Sequence, residues 1–405
     1  AQILALLLEL RKQLNTAMLL ITHDLGVIAG TCERMVVLQD GKLIEEGRTR
    51  EVFANCKAEA TRKMIESGIW GRPNELAVVT GETALTVSEL AVSFRPHGGW
   101  SRKRLQAVMP MSFTLSRGET VAIVGESGSG KTSLARAVLG LIPEHAGTIS
   151  FLGRYLENAV TRRAGSAKRQ LQMVFQDPVG SLNPAMRVSS IVGEPLWIHE
   201  PAMSTRDRTK AAADMLVEVG LDEAFMDRFP HELSGGQAQR VAIARALIVR
   251  PAVIVCDEAV AALDNTIKRD ILALLKREQD RSNLAIVFIS HDLGIVRQIS
   301  DRVIVLYMGR VVEEGETESL FARPQHPYTR ALIDAVPVAD PDVVPGNVPV
   351  AGEVSSLSDP PPGCVFHPRC TYALDDCRTA IPDLQGTEPA RIACHRADEL
   401  DLSGN

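Results

Sequence analysis

The sequence predicts an α/β fold: a parallel sheet with a phosphate-binding loop at its carboxyl edge. The β-branched run Val121-Ala122-Ile123-Val124 feeds Gly125-Glu126-Ser127-Gly128-Ser129-Gly130-Lys131-Thr132, and Ser133 to Leu139 continue as helix. A second buried-type strand, Val253-Ile254-Val255-Cys256, ends in the adjacent carboxylates Asp257 and Glu258. Gln176 and His291 also stand directly after apolar runs, Leu171 to Phe175 and Ala285 to Ser290. Strand ends so marked converge where a parallel sheet binds its ligand.

Each element has its own chemistry. Glycines let backbone amides turn inward around phosphate oxygens at a helix N-terminus, Lys131 adds a positive charge on the β- and γ-phosphates, and Thr132 can ligate magnesium. Side chains alternate across a strand, so Asp257 and Glu258 point apart and take different tasks. Asp257 suits a magnesium shell; Glu258 can orient or polarise an attacking water. Gln176 can contact the magnesium or that water, and His291 can hydrogen-bond the γ-phosphate. An ordinary glycine turn, a solvated acidic pair and lone structural Gln and His residues are the competing readings, and joint occurrence weighs against them. Leu233-Ser234-Gly235-Gly236-Gln237 precedes a helical run from Ala238 to Val249, with Val241, Ala244, Leu247 and Ile248 on one face. A serine and two glycines at a helix start read as a second anion site, or as a plain N-cap.

At 405 residues and 45% hydrophobic content the chain has room for two or three domains with real cores. No stretch approaches the roughly 18 apolar residues of a membrane span, so a membrane role is expected through a partner. The start at Ala1 has neither a basic region nor a small-residue cleavage site, so export is not expected. A net charge of -6 lacks the basic footprint of a phosphate-backbone binder, and no nucleic-acid partner is expected.

Residues 1 to 67 match residues 269 to 335 at a constant offset of 268, without a gap. Ile21-Thr22-His23-Asp24-Leu25-Gly26 aligns with Ile289-Ser290-His291-Asp292-Leu293-Gly294, and Glu45-Glu46-Gly47 with Glu313-Glu314-Gly315. An offset of this size is a domain, not a stacking unit, so tandem copies of one domain are expected. The first copy's phosphate loop would then precede Ala1, and the chain reads as a fragment or a truncated reading frame. The expected organisation is a first-copy remnant over 1–70, a Gly/Pro/polar linker over 71–84, a complete second copy over 85–322 and an extension over 323–405.

The order of the Gly125-to-Thr132 loop, Gln176, Leu233 to Gln237, Asp257-Glu258, Ala262-Leu263-Asp264 and His291 resembles the ABC ATPase family: Walker A, Q-loop, signature, Walker B, D-loop and switch histidine. The resemblance implies a P-loop NTPase of ABC type, with a parallel-sheet core, an antiparallel β subdomain and a helical signature subdomain. It implies ATP and Mg2+, with Glu258, His291 and Gln176 catalytic. Gly125, Glu126, Ser127, Gly128, Ser129, Gly130, Lys131, Thr132 and Ser133 would lie on ATP; Thr132, Gln176 and Asp257 would lie on the metal. Phe94, in Val92-Ser93-Phe94, resembles the family's adenine-stacking aromatic, though a strand aromatic equally suits a core. Cassettes of this family pair head to tail, so Ser234, Gly235, Gly236, Gln237, Asp264 and the first-copy His23 would act in trans on another site's nucleotide. Ala259, Ala261 and Ala238 depart from the family's usual proline, serine and arginine.

Phe175-Gln176-Asp177-Pro178 through Asn183-Pro184, then Ile191 to Leu196, and His326-Pro327-Tyr328-Thr329 are similar to segments of oligopeptide and dipeptide importer ATPases. That likeness implies two integral-membrane permease subunits, an extracytoplasmic substrate-binding protein, and a peripheral place on the cytoplasmic face of the inner membrane. Nickel or glutathione import, a soluble tandem ABC ATPase on ribosomes or DNA, and a catalytically dead fragment are the alternatives. Basic or coiled-coil insertions, the mark of the ribosome or DNA class, are not seen.

Four of the seven cysteines, Cys364, Cys370, Cys377 and Cys394, fall in a Pro/Gly-rich tail. The spacing Cys-x5-Cys-x6-Cys-x16-Cys lacks the paired two-residue gaps of a zinc ribbon. Disulfides do not suit a cytosolic protein, which leaves a four-thiolate iron-sulfur cluster, zinc, or unliganded structural cysteines. The tail resembles the peptide-importer extension, some examples of which carry a 4Fe-4S cluster; His367 and His395 are near enough to substitute in a zinc site.

Overall fold

A computed structural model describes residues 2–22, 24–68, 81–94, 104–142, 145–158, 162–261, 263–343, 356–388 and 390–402. In chain order its strands are β1 (Arg34–Gln39), β2 (Lys42–Arg48), β3 (Thr83–Phe94), β4 (Leu105–Ser116), β5 (Thr120–Val124), β6 (His145–Phe151), β7 (Arg154–Tyr155), β8 (Leu171–Val174), β9 (Val253–Asp257), β10 (Ala285–Ile289), β11 (Arg302–Tyr307), β12 (Arg310–Glu316), β13 (Gln385–Thr387) and β14 (Ala390–Ile392). The strands β5, β9 and β10 are buried at every position. Such continuous apolar runs belong in a parallel sheet covered on both faces.

The main sheet has the order β13-β14-β12-β11-β5-β10-β9-β8. The neighbours from β11 through β8 run parallel, while β12 and the short tail strands are antiparallel. A separate antiparallel sheet, β4-β3-β6-β7, packs its Val87, Leu90, Phe113 and Ile149 into one cluster with the β5 side chains Val121 and Ile123. On the opposite side the helices Val188–His199, Thr205–Glu218 and Gly235–Leu247 form a helical layer. Its Ile191, Leu216 and Val241 share a core with Ile254 and Phe288 of the sheet. This is the α/β arrangement of parallel core, antiparallel sheet and helical subdomain that the sequence predicts.

Among the described residues, the segment after residue 323 builds no core of its own. Val365 and Phe366 pack with Tyr307 and Tyr328, β14 pairs with β12, and Arg391 grips Glu314 at 2.6 and 2.9 Å. The extension is thereby continuous with the main sheet.

The internal repeat recurs element by element. Leu25–Thr31, β1, β2 and Thr49–Ala54 answer to Leu293–Ile299, β11, β12 and Thr317–Ala322, each 268 positions further on. The hairpin irregularity recurs too, at Val37/Leu38 and Val305/Leu306. Glu313 accepts the amides of Gln325 and His326 at 2.8 and 3.0 Å, and Glu45 accepts those of Lys57 and Ala58 at 2.8 and 3.2 Å. Burial is what differs. Ile21 and Leu38 are 91% and 66% exposed, whereas their counterparts Ile289 and Leu306 are fully buried. Strand β11 lies against β5, while β1 pairs only with β2 among the described residues. No helix among the described residues is long and apolar enough to cross a membrane.

Candidate functional site

The sheet order sets the site. Along β5, β10, β9 and β8 the carboxyl ends carry, in turn, the glycine loop, His291, Asp257-Glu258 and Gln176. The loop needs its glycines. Gly125 and Gly130 have φ of 149° and 101°, and a Cβ there would lie 2.1 Å from the Leu306 carbonyl oxygen and 2.4 Å from that of Ala107. Neither contact can be relieved, because both neighbours are backbone. Gly128 also has positive φ, 79°, but faces open space.

Lys131 opens the helix Lys131–Val138 and is buried. Its ammonium donates to the Gly125 and Glu126 carbonyls at 2.7 and 2.8 Å, which folds the charge back over the loop. Burial lowers its pKa, opposed by the charges of Glu258, Asp257 and Glu126. The Thr132 hydroxyl donates to Asp257 Oδ1 at 3.2 Å, and burial, the leading influence, raises the Asp257 pKa. A buried cation in a glycine cradle beside a hydroxyl–carboxylate pair fits a phosphate chain with a hard, oxygen-seeking divalent cation.

Asp257 and Glu258 diverge, but not by the expected strand alternation, because the strand ends at Asp257 and Glu258 stands in the turn that follows. Glu258 adopts φ 49°, unusual for a non-glycine residue, and its amide donates to the Ile289 carbonyl at 3.0 Å. The turn aims the carboxylate between two neighbours: Gln176 Nε2 donates to it at 2.8 Å, and His291 Nδ1 lies 3.3 Å from its other oxygen. Strained backbone held by its surroundings is common where a side chain must be aimed. Beside these strand ends, Gln176, Asp177, Glu194, Arg245 and Asp257 line a cleft of about 780 Å3 between sheet and helical layer.

The remaining expected residues fall elsewhere. Ser234 caps the helix Gly235–Leu247 in a capping box, its Oγ accepting from Gln237 N at 3.3 Å and its own amide donating to Gln237 Oε1 at 2.9 Å. Asp264 caps Asn265–Ser282 through Ile267 N at 3.0 Å. Among the described residues neither bonds the phosphate loop of its own chain, and Ser234, Gly235 and Asp264 are exposed. Phe94 is half-buried against the core that includes Leu134. His23 lies outside the described residues.

Two partners of the loop were not legible beforehand. The Tyr328 hydroxyl accepts the Glu126 amide at 2.8 Å, and Arg369 grips the Glu126 carboxylate at 2.7 and 3.0 Å. Tyr328 lay within the His-Pro-Tyr segment, a usable signal; Arg369 carried none.

Cys364, Cys370, Cys377 and Cys394 converge on one cavity of about 20 Å3, joined by His326, His367 and His395. Burial raises the Cys364 and Cys370 thiols and pushes Cys394 up to about 11. Among the described residues no group of three or more His, Cys, Asp or Glu is arranged to hold a metal ion. The expected iron-sulfur or zinc ligand set is therefore not formed among the described residues.

Residues 108–261 match the family model of the ABC transporter, and residues 312–377 that of the oligopeptide/dipeptide transporter C-terminal region. The oligopeptide transport ATP-binding protein OppF of Escherichia coli is 41% identical over 332 residues, covering 80% of this chain and 99% of that protein. A putative peptide import ATP-binding protein of Brucella abortus is 46% identical over 320 residues, covering 78% and 94%. The di/tripeptide transport ATP-binding protein DppF of Pseudomonas aeruginosa is 39% identical over 321 residues, covering 79% and 99%. A solved dimeric ATP-binding cassette, MJ0796 in a post-hydrolysis state with ADP and Pi, superimposes with a TM-score of 0.52 at 29% identity, covering 57% of this chain and 98% of that one.

Proposed function

This chain belongs to the ABC transporter family of ATP-binding proteins, and on that premise we propose that it hydrolyses ATP to energise import of peptides through membrane permease partners. The carrying observation is the row of strand ends that sets Lys131, Thr132–Asp257, Glu258, Gln176 and His291 around one point.

The loop amides and Lys131 hold the β- and γ-phosphates. Thr132 and Asp257 hold magnesium, which when bound neutralises charge developing on the phosphate oxygens. Glu258 orients the attacking water and draws its proton; Gln176 and His291 fix the carboxylate and, once a γ-phosphate is present, turn toward the water and the phosphate. Ser234, Gly235, Gly236, Gln237 and Asp264, at helix starts where Ser234, Gly235 and Asp264 are exposed, close over the nucleotide of a second cassette in a head-to-tail pair, and His23 serves that same site. Phe94 stacks on adenine.

The cleft between Gln176 and Glu194 passes the cassette movement to two permease subunits on the cytoplasmic face of the inner membrane, served by an extracytoplasmic binding protein. The match to the oligopeptide/dipeptide C-terminal region supports peptides over nickel or glutathione. The family's iron-sulfur reading of the tail is supported by the four converging thiols and opposed by the lack of a ligand-like arrangement; iron and sulfide analysis of anaerobically purified protein decides it.

Affinity purification from detergent-solubilised membranes tests the transport role. Recovery of integral-membrane permeases, with ATP-dependent peptide uptake after reconstitution, is expected; recovery of RNA or ribosomes alone would overturn it.

A further inference from the structure

Among the described residues the C-terminal extension hydrogen-bonds the phosphate loop at Glu126 and holds it on both main chain and side chain. The Glu126 amide donates to the Tyr328 hydroxyl at 2.8 Å. Its carboxylate takes both arms of Arg369, at 2.7 and 3.0 Å. Its carbonyl accepts from Lys131 at 2.8 Å. Glu126 is therefore the residue through which the extension and the phosphate-loop lysine meet.

Arg369 is built into position. Its side chain is 5% exposed, it also donates to the Tyr307 hydroxyl at 3.2 Å, and it lies beside the rings of Tyr307 and Phe366. Tyr307, Tyr328 and Phe366 pack ring against ring at 4.6 to 5.3 Å. Arg369 Nε is buried without a partner, so the guanidinium has been desolvated for what its two terminal nitrogens reach. A bidentate guanidinium–carboxylate pair fixes direction as well as distance. Gly125, immediately before Glu126, is already wedged against the Leu306 carbonyl, which leaves the loop's first turn little freedom once Glu126 is held.

We infer that Arg369 and Tyr328 are positioning residues for ATP binding: acting through Glu126, they hold the first turn of the phosphate loop in its binding shape. The extension thus sets the affinity of the nucleotide site without touching the nucleotide. The short helical turn His367–Arg369 lies between Cys364 and Cys370, so a change at the cysteine cavity reaches the loop through the same arginine.

The inference rests on the ATPase reading, and kinetics of the full chain separate the two. Arg369→Ala should raise KM for MgATP and weaken ADP binding by about tenfold while kcat stays within about twofold, the pattern of lost uniform binding. Arg369→Lys, which keeps the charge but not the fork, should recover part of the affinity. Tyr328→Phe, which removes only the acceptor, should shift KM in the same direction by a smaller factor. Arg391→Ala breaks another guanidinium–carboxylate pair of the extension, to Glu314, whose hydrogen bonds do not include the phosphate loop, and should leave KM unchanged. An unshifted KM in Arg369→Ala, or an equal shift in Arg391→Ala, would overturn the inference. A wild-type chain that turns over no ATP would instead sink the ATPase reading, while ADP affinities would still report on Arg369.

Discussion

Gln176 Nε2 donates to Glu258 Oε2 at 2.8 Å across 82 residues of chain. The contact exists because β8 and β9 are parallel neighbours and each ends in a polar residue at the same edge. It ties the residue proposed to sense the cleft to the one proposed to orient water.

Gln176→Ala removes the donor that fixes one Glu258 oxygen but none of the phosphate cradle. Phosphate-release kinetics should show kcat down about 10- to 100-fold, in the range general-base placement contributes. Nucleotide affinity by equilibrium binding should move by less than about threefold. Equal losses in both would mean that Gln176 supports the loop itself.

Gly130→Ala and Gly128→Ala should separate crowding from backbone preference. Gly130 combines φ 101° with a Cβ contact of 2.4 Å to the Ala107 carbonyl oxygen, whereas Gly128 at φ 79° has nothing within 4 Å. The left-handed conformation alone costs about 1–2 kcal/mol. Gly130→Ala should abolish measurable ATP binding, and Gly128→Ala should weaken it by roughly tenfold. The reverse order in a titration with a fluorescent ATP analogue would contradict the loop geometry.

His326 predicts an acid limb of stability. Buried, its ring is held neutral, with its pKa lowered from 6.5 to about 3, and Nδ1 accepts the Tyr328 amide at 3.0 Å. The unfolded chain binds a proton below 6.5 that the folded chain refuses until about 3. Stability is therefore full above 6.5 and falls as pH drops through that window, by on the order of 5 kcal/mol. Glu313, whose carboxyl burial pushes up, works in the opposite direction and is common to both proteins compared. His326→Asn keeps a side-chain acceptor and should flatten the limb in urea melts between pH 4 and 7; an unchanged slope would assign the acid loss to other groups.

What was legible was what is local. The glycine loop, the strand-end carboxylates and the helix cap at Ser234 each sit within a few residues of their signal, and apolar runs marked the strands that carry the first two. Elements recur at the 268-residue offset that the sequence shows. The positive φ of Glu258 was not legible, because nothing in a carboxylate's identity marks a strained turn. Nor was the burial difference between Leu38 and Leu306, which depends on whether a neighbouring strand is present. Arg369 was hidden for another reason: it is one of 44 lysines and arginines, and its partner Glu126 lies 243 positions away. The cysteine cluster was visible as spacing, but whether four thiols meet as ligands or merely line a cavity is set by backbone turns that a Pro/Gly-rich tail leaves unspecified.

The most direct measurement is ATP turnover by the full chain before and after Glu258→Gln, a change that keeps size and one acceptor oxygen but removes the base. The account predicts phosphate release lowered by at least about 100-fold, with nucleotide binding retained. Equal turnover in the two proteins would remove Glu258, and the site built around it, from the reaction.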